Sequence, residues 1–409
     1  MRKADIAKLF IASAILGLVI GLVSDVFIRA IQVASGLIWN GWVSGAQHKP
    51  LAVILISIAG GILMGVCVKF FGKNDEGIGF EAVLVAVKKD GDLGLKQIKR
   101  VVSNAYAGLV TGASIGPESP LITLGGFCGN FLAKRLNTSK QQLMAFITIA
   151  LGGSMGVLVD SPVAGPILFA EQPPTQDATT NKLLVFTSML AASVGFALYF
   201  FLGAPLLKAQ KLVPDYGGFQ AIHLLYGLLI GIIGAVVGLL FKALIVYFKR
   251  LSKRFDNRPI LRGTIVGLLV GVCGTISSLA MFDGSAQLSR LVAHASAYSV
   301  AALLALALVR LVSTSVALGG GYQGGNIFPS IFIAGAVGLA INAMFHFIPA
   351  PVAMVACMAS VMYTFMPLPL FSVFLFTEIS SFSLIPVMAM SLVGAYVLSA
   401  FRHRQTTQA

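Results

Sequence analysis

Hydrophobic positions in this chain run in long blocks, not in the spaced stripe of an amphipathic surface helix. They fall near 9–36, 51–71, 98–115, 119–136, 142–159, 162–172, 183–204, 221–248, 262–282, 298–318, 328–348, 351–366, 368–380 and 384–401. A helix needs about 20 apolar residues to cross a bilayer. The longer blocks therefore predict membrane-spanning helices, and the shorter ones, such as 162–172 and 368–380, stop part-way. A helix end at membrane depth leaves backbone N–H and C=O groups that only protein or a water-filled cavity can satisfy. Such half-spans point to a transporter or channel with its site near the midplane. The first block, Leu9 to Val26, has no small-residue cleavage site behind it and reads as a membrane segment, not a removable signal. The stretch Leu37–Pro50 carries both tryptophans, Trp39 and Trp42, and reads as an interfacial belt.

Composition agrees with the pattern. Of 409 residues, 57% are hydrophobic and 11% charged, against roughly 25% charged in a soluble domain. The length allows roughly ten to twelve crossings. A disordered chain, a disulfide scaffold and a soluble enzyme are excluded. The 44 glycines and 16 prolines suit broken, closely packed membrane helices. The net charge of +14 is carried by the ends and loops, notably Arg2, Lys3 and Lys8, the Lys88–Arg100 stretch, the Lys249–Arg262 stretch, and Arg402 and Arg404. That is the positive-inside distribution, and it places the N-terminus and the 249–262 loop in the cytoplasm of a multi-pass cell-membrane protein. No nucleic-acid partner is expected. Cys67, Cys128, Cys273 and Cys357 lie in apolar stretches without metal-ligand spacing, and the five histidines are scattered. No metal site and no cofactor are expected.

The most polar break near mid-chain is 205–220, and the segments on either side of it repeat. Gly17, Gly21 and Leu22 match Gly234, Gly238 and Leu239. Gly61, Gly65, Val66 and Cys67 match Gly267, Gly271, Val272 and Cys273. Asp75-Glu76-Gly77 matches Phe282-Asp283-Gly284, and Pro120, Gly126 and Gly129 match Pro329, Gly335 and Gly338. Pro162 with Leu168–Glu171 matches Pro369 with Leu375–Glu378. The offsets run from 206 to 217. One transmembrane domain over 1–409 is expected, with half-repeats at about 9–204 and 221–401, a linker at 205–220 and no soluble regulatory domain. Internal repeats in transporters put the site at the repeat interface.

Acids in apolar segments are expensive, which singles out Glu118. Gly116, Pro117 and Pro120 break the helix that ends near Ile115, and a new helix starts at about Ser119. Glu118 then sits at a helix N-terminus, where free N–H groups bind anions. Two readings are open: a carboxylate that caps its own helix, or one that competes with a permeant anion for those groups. The second half offers Gly319-Gly-Gly-Tyr-Gln-Gly-Gly-Asn-Ile-Phe-Pro329, a glycine-rich loop opening another apolar helix. Two helix N-termini meeting at the midplane would hold a small anion without a full basic charge. Asp160, before Ser161-Pro162, reads as a helix cap.

Gly116-Pro117-Glu118-Ser119-Pro120 resembles the gating-glutamate motif, GREGP or GKEGP, of CLC chloride channels and chloride/proton antiporters. Gly325-Asn326-Ile327-Phe328-Pro329 resembles their GxFxP motif. Asp75-Glu76-Gly77-Ile78-Gly79 stands where they have GSGIP, and Pro162–Glu171 resembles their PLAGxLFxxE segment. Order and spacing agree from about residue 10 to 400, and the GPE-x-P form is that of a divergent bacterial branch of ion-transport proteins. The resemblance implies an all-α fold of two inverted repeats with many tilted and broken helices. It also implies a homodimer with a pore in each subunit, and passage of a small anion, chloride by default, with or without protons.

Carried over by residue, Glu118 is the external gate. The amides of Ser119, Asn326 and Ile327 are anion ligands, with Gly325 and Phe328 in the same motif. The chain departs from the family in three places. Glu76 replaces the serine that contacts the central anion, leaving Glu76 or Gly77 along the path. No counterpart of the family's terminal tyrosine helix is expected, with Tyr322 and Tyr396 as weak substitutes. Gln172 replaces the internal proton-transfer glutamate, and Glu171 beside it is an alternative proton site. Fluoride or another halide exchanged for protons, and an inactive paralogue, are the alternative functions. Protease and nucleophile motifs are lacking, so an enzyme is not expected.

Overall fold

The computed structural model describes residues 3–72, 83, 85–87, 93–203 and 212–407, without the side chains of 3–5, 140 and 401–407. Glu76 and Gly77 lie outside the described residues, as does part of the 205–220 linker.

All regular structure among the described residues is helical. α1 (Lys3–Gly36) continues through a π-helical turn (Leu37–Val43), followed by α2 (Lys49–Phe71), α3 (Leu95–Val110), α4 (Glu118–Arg135), α5 (Lys140–Leu158), α6 (Ala164–Glu171) and α7 (Ala178–Phe201). After the mid-chain break come α8 (Ile222–Ser252), α9 (Pro259–Ile276), α10 (Ser285–Ala293), α11 (Val300–Gly320), α12 (Ile327–Met344), α13 (Ala350–Phe365), α14 (Pro369–Glu378) and α15 (Ile385–Thr407). Among the described residues, nine helical segments are long and apolar enough to cross a membrane, while α14 and α13 are shorter apolar helices.

The two series share a packing pattern. A long first helix, α1 or α8, packs on the last of its series, α7 or α15. The pairs α4–α5 and α12–α13 pack alike, and each is followed by a short helix, α6 or α14. The series meet where α2 lies along α9. There a Cβ on Gly61 would overlap the Gly263 carbonyl, and a Cβ on Gly263 would overlap that of Gly61. Only glycine allows this backbone approach, the usual device for packing helices in lipid. The outer faces of α1, α8 and α9 expose Leu18, Leu22, Leu229, Val236, Leu240 and Leu268, whereas α12 and α13 are buried almost all round.

Helix starts follow local chemistry. Ser139 and Gln142 form a reciprocal capping box on α5. Asp177 accepts from the amides of Thr179 and Thr180 at the start of α7, and these bonds with the Thr180 hydroxyl hold its carboxyl below the ordinary range. The hydroxyl that caps α6 is that of Ser161, accepting from Val163 N (3.3 Å) and Ala164 N (3.1 Å). Asp160 precedes it in a left-handed turn (φ 54°), so the cap expected at Asp160 sits one residue later.

Basic residues are not confined to ends and loops. Arg310 lies within α11 and is fully buried. Its guanidinium donates to the carbonyls of Leu279 (2.7 Å), Met281 (3.0 Å) and Phe282 (2.7 Å) and lies 4.6 Å from the centre of the Phe332 ring. Charge-assisted bonds and a cation–π contact offset its desolvation. Arg310 thereby fixes the 279–284 turn, whose Phe282 N–H reaches the Gly112 carbonyl at 3.2 Å.

Candidate anion site

Gly116 and Gly325 exchange two backbone hydrogen bonds, Gly116 N to Gly325 O at 2.9 Å and Gly325 N to Gly116 O at 2.8 Å. This antiparallel pair, a single bridge outside any strand, sets the start of α4 beside the start of α12. A second tie joins Ser114 Oγ and Thr314 Oγ1 at 2.7 Å, both fully buried. From α3, Asn104 pins the glycine-rich loop. Its Nδ2 donates to Gly321 O (3.2 Å) and its Oδ1 accepts from Gln323 N (2.9 Å). Nothing in the sequence pattern marks Asn104 for this task.

Neither helix start is capped by the side chain before it: Pro117 precedes α4 and Asn326 precedes α12 without a capping bond. The orphan N–H groups of α12 meet Glu118 instead. Glu118 is 3% exposed, and its Oε1 accepts from Phe328 N at 2.8 Å. Its Oε2 is buried and has no hydrogen-bond partner. The carboxyl group lies against the Cα atoms of both paired glycines, so a Cβ on Gly116 or Gly325 would overlap it. Glu118 crosses to the helix start of the other half, where the Phe328 amide, next to the Asn326 and Ile327 amides expected from the sequence, donates to it.

Below the carboxylate opens a cavity of about 570 Å³, with Glu118, Ser119, Gly325, Asn326 and Ile327 in its wall. Gln172, at the end of α6, also lines it, as do Lys242, Lys249 and Lys253 from α8 and its 3-10 extension, and Arg262 from α9. Besides Glu118, one acid among the described lining residues opposes these four cations, Asp256, which accepts from Arg262 Nη1 at 3.0 Å. Glu171 is engaged elsewhere. Its two oxygens accept from Leu370 N and Phe371 N, both at 2.7 Å, at the start of α14. Of the two tyrosines considered as substitutes, Tyr322 is buried against Gly108 and Tyr396 is exposed, and neither lines the cavity. No group of three or more His, Cys, Asp or Glu that could hold a metal occurs among the described residues.

The sequence model of the voltage gated chloride channel family matches residues 60–400. The chain belongs to this family. The YfeO protein of Shigella flexneri is 24% identical over 359 residues, covering 86% of this chain and 83% of that one. The fold matches a crystal structure of a CLC-type fluoride/proton antiporter with a TM-score of 0.80 at 20% identity, covering 98% of this chain and 97% of that chain. It also matches a slow cyanobacterial chloride/proton antiporter with a TM-score of 0.78 at 19% identity, covering 96% and 94%. The architecture is therefore the CLC fold of two inverted repeats in a multi-pass membrane protein, and the family's work is anion transport.

Proposed function

We propose that this chain conducts a small inorganic anion, chloride by default, through a path in each subunit of a homodimer, with Glu118 as its gate. The observation that carries the reading is the seat of the Glu118 carboxylate, on the Phe328 amide at the end of a cavity walled by four cations. Helix N-terminal amides that hold a carboxylate will hold a halide equally well. Like charges compete for that seat, so the anion enters only when the carboxylate leaves or loses its charge. Protonating Glu118 removes the charge that competes. The uncommitted Oε2 is the atom on which a proton can sit without breaking the bond to Phe328.

The cavity lies on the side of the basic α8–α9 connection, which the charge distribution assigns to the cytoplasm of the cell membrane. Lys242, Lys249, Lys253 and Arg262 raise the local anion concentration there and steer anions toward Ser119 and Ile327. Gln172 cannot carry a proton along this wall, and Glu171 is committed to the α14 start. Conduction is accordingly channel-like or weakly coupled to protons. Radiolabelled chloride efflux from vesicles containing the purified chain tests the reading, and repeating it with fluoride and bromide identifies the ion. Absence of flux for every halide would overturn it.

A further inference from the structure

Five of the seven residues 319–325 are glycine, so the loop that leads into α12 has little stiffness of its own. The Gly116–Gly325 bridge fixes it at one point, beside the Glu118 seat. One fixed point leaves the direction of a chain free. The second is Asn104, on α3 in the other half. Asn104 is 1% exposed and spends both ends of its carboxamide on the loop backbone, donating to Gly321 O at 3.2 Å and accepting from Gln323 N at 2.9 Å. One partner is an acceptor and the other a donor, so only one orientation of the amide satisfies both. Between them, Tyr322 is buried against Gly108, where a Cβ would stand 2.7 Å from its Cδ1. Gly108 lies four positions after Asn104 on α3, and positions four apart share a helix face. One face of α3 thus receives Gly321, Tyr322 and Gln323 together.

Beyond the clamp the chain runs straight into the cavity wall, through Gly324, Gly325, Asn326 and Ile327. N–H groups already aimed at a ligand bind it more tightly than groups that must be ordered on binding. We propose that Asn104 is a positioning residue for anion binding, which aims the amides at the start of α12 by clamping Gly321 and Gln323. Asn104 does not itself line the cavity, so it acts through the loop and not on the ion. Its effect on transport rests on the conduction reading above, whereas its hold on the loop does not.

Two variants and two measurements test it. Asn104→Leu removes both bonds, and Asn104→Asp keeps the acceptor for Gln323 N while losing the donor to Gly321 O. Hydrogen exchange of the detergent-solubilised full-length chain, read by mass spectrometry, reports the loop. Peptides covering 319–328 should exchange roughly tenfold faster in Asn104→Leu than in the wild type, and by a smaller factor in Asn104→Asp. Peptides from α8 and α15 should keep wild-type rates. The chloride dependence of efflux from vesicles reports the amides, measured in a Glu118→Gln background so that no carboxylate competes. There Asn104→Leu should raise the half-saturating chloride roughly fivefold or more, Asn104→Asp by less, with maximal flux little changed. An unchanged half-saturating chloride, whatever happens to maximal flux, overturns the proposal, because a merely structural loss lowers only the amount of working protein. Wild-type exchange over 319–328 in the variants overturns it as well. Should Asn104→Leu fail to elute as a monodisperse species, Asn104→Asp decides by the same two readings. A chain whose loop exchange depends on Asn104 yet which moves no halide contradicts the conduction reading alone.

Discussion

Glu118 places one oxygen on the Phe328 amide and presses the other against two glycines that pair with each other. The three atoms nearest to a Cβ on Gly116 all belong to the Glu118 carboxyl group. Gly116→Ala therefore acts on a movable side chain, not on the backbone. It should leave the chain folded, dislodge the carboxylate from its seat and raise chloride efflux at neutral pH above the wild type. An unchanged efflux in a folded Gly116→Ala protein would contradict this placement. Gln172 supports a second expectation at this scale. A chloride gradient across vesicles should drive no uphill proton movement, and such movement, abolished by Glu171→Gln, would show that Glu171 relays protons despite its two backbone bonds. The glutamate, its helix start and the glycine loop were all legible in the sequence, because proline and glycine punctuate the backbone locally. The Phe328 contact was not, because it joins residues 210 positions apart.

At the scale of elements, the short helices α6 and α14 secure each other. Glu171, at the end of α6, takes two amides at the start of α14. Glu378, at the end of α14, accepts from the Ser161 hydroxyl that caps α6, at 2.7 Å. The repeat pattern had paired the two glutamates by offset, yet only the fold reveals that each serves the opposite helix. Glu171→Ala removes two charge-assisted bonds and leaves amides unpaired, which should cost about 1–3 kcal/mol. A lowered melting temperature in detergent checks this, with Ser161→Ala expected to show a smaller drop. Equal stability of Glu171→Ala and wild type would remove the cross-cap from the account. Helix existence was well read from apolar blocks. Arg310 was missed because one arginine in an apolar run says nothing about the three carbonyls, from Leu279, Met281 and Phe282, that accept its protons.

Over the whole molecule, the inverted halves bring two helix N-termini together and leave a cationic cavity beneath them. Lys249 and Lys253 read as positive-inside residues in the sequence; in the fold they line the cavity together with Lys242. The homodimer we propose would meet on the helices at 162–172 and 384–401, the second of which exposes Val393 and Tyr396. The detergent-corrected mass of the solubilised protein should be twice that of one chain, and a single-chain mass would count against the homodimer. The central claim is that Glu118 and a permeant anion compete for one seat, and chloride efflux measured across pH for wild type and Glu118→Gln tests it most directly. Wild-type flux should rise as pH falls from about 8 to about 4, as protonation removes the competing charge. Glu118→Gln should be fast and flat over the same range. A folded Glu118→Gln protein that keeps the wild-type pH profile would contradict the account.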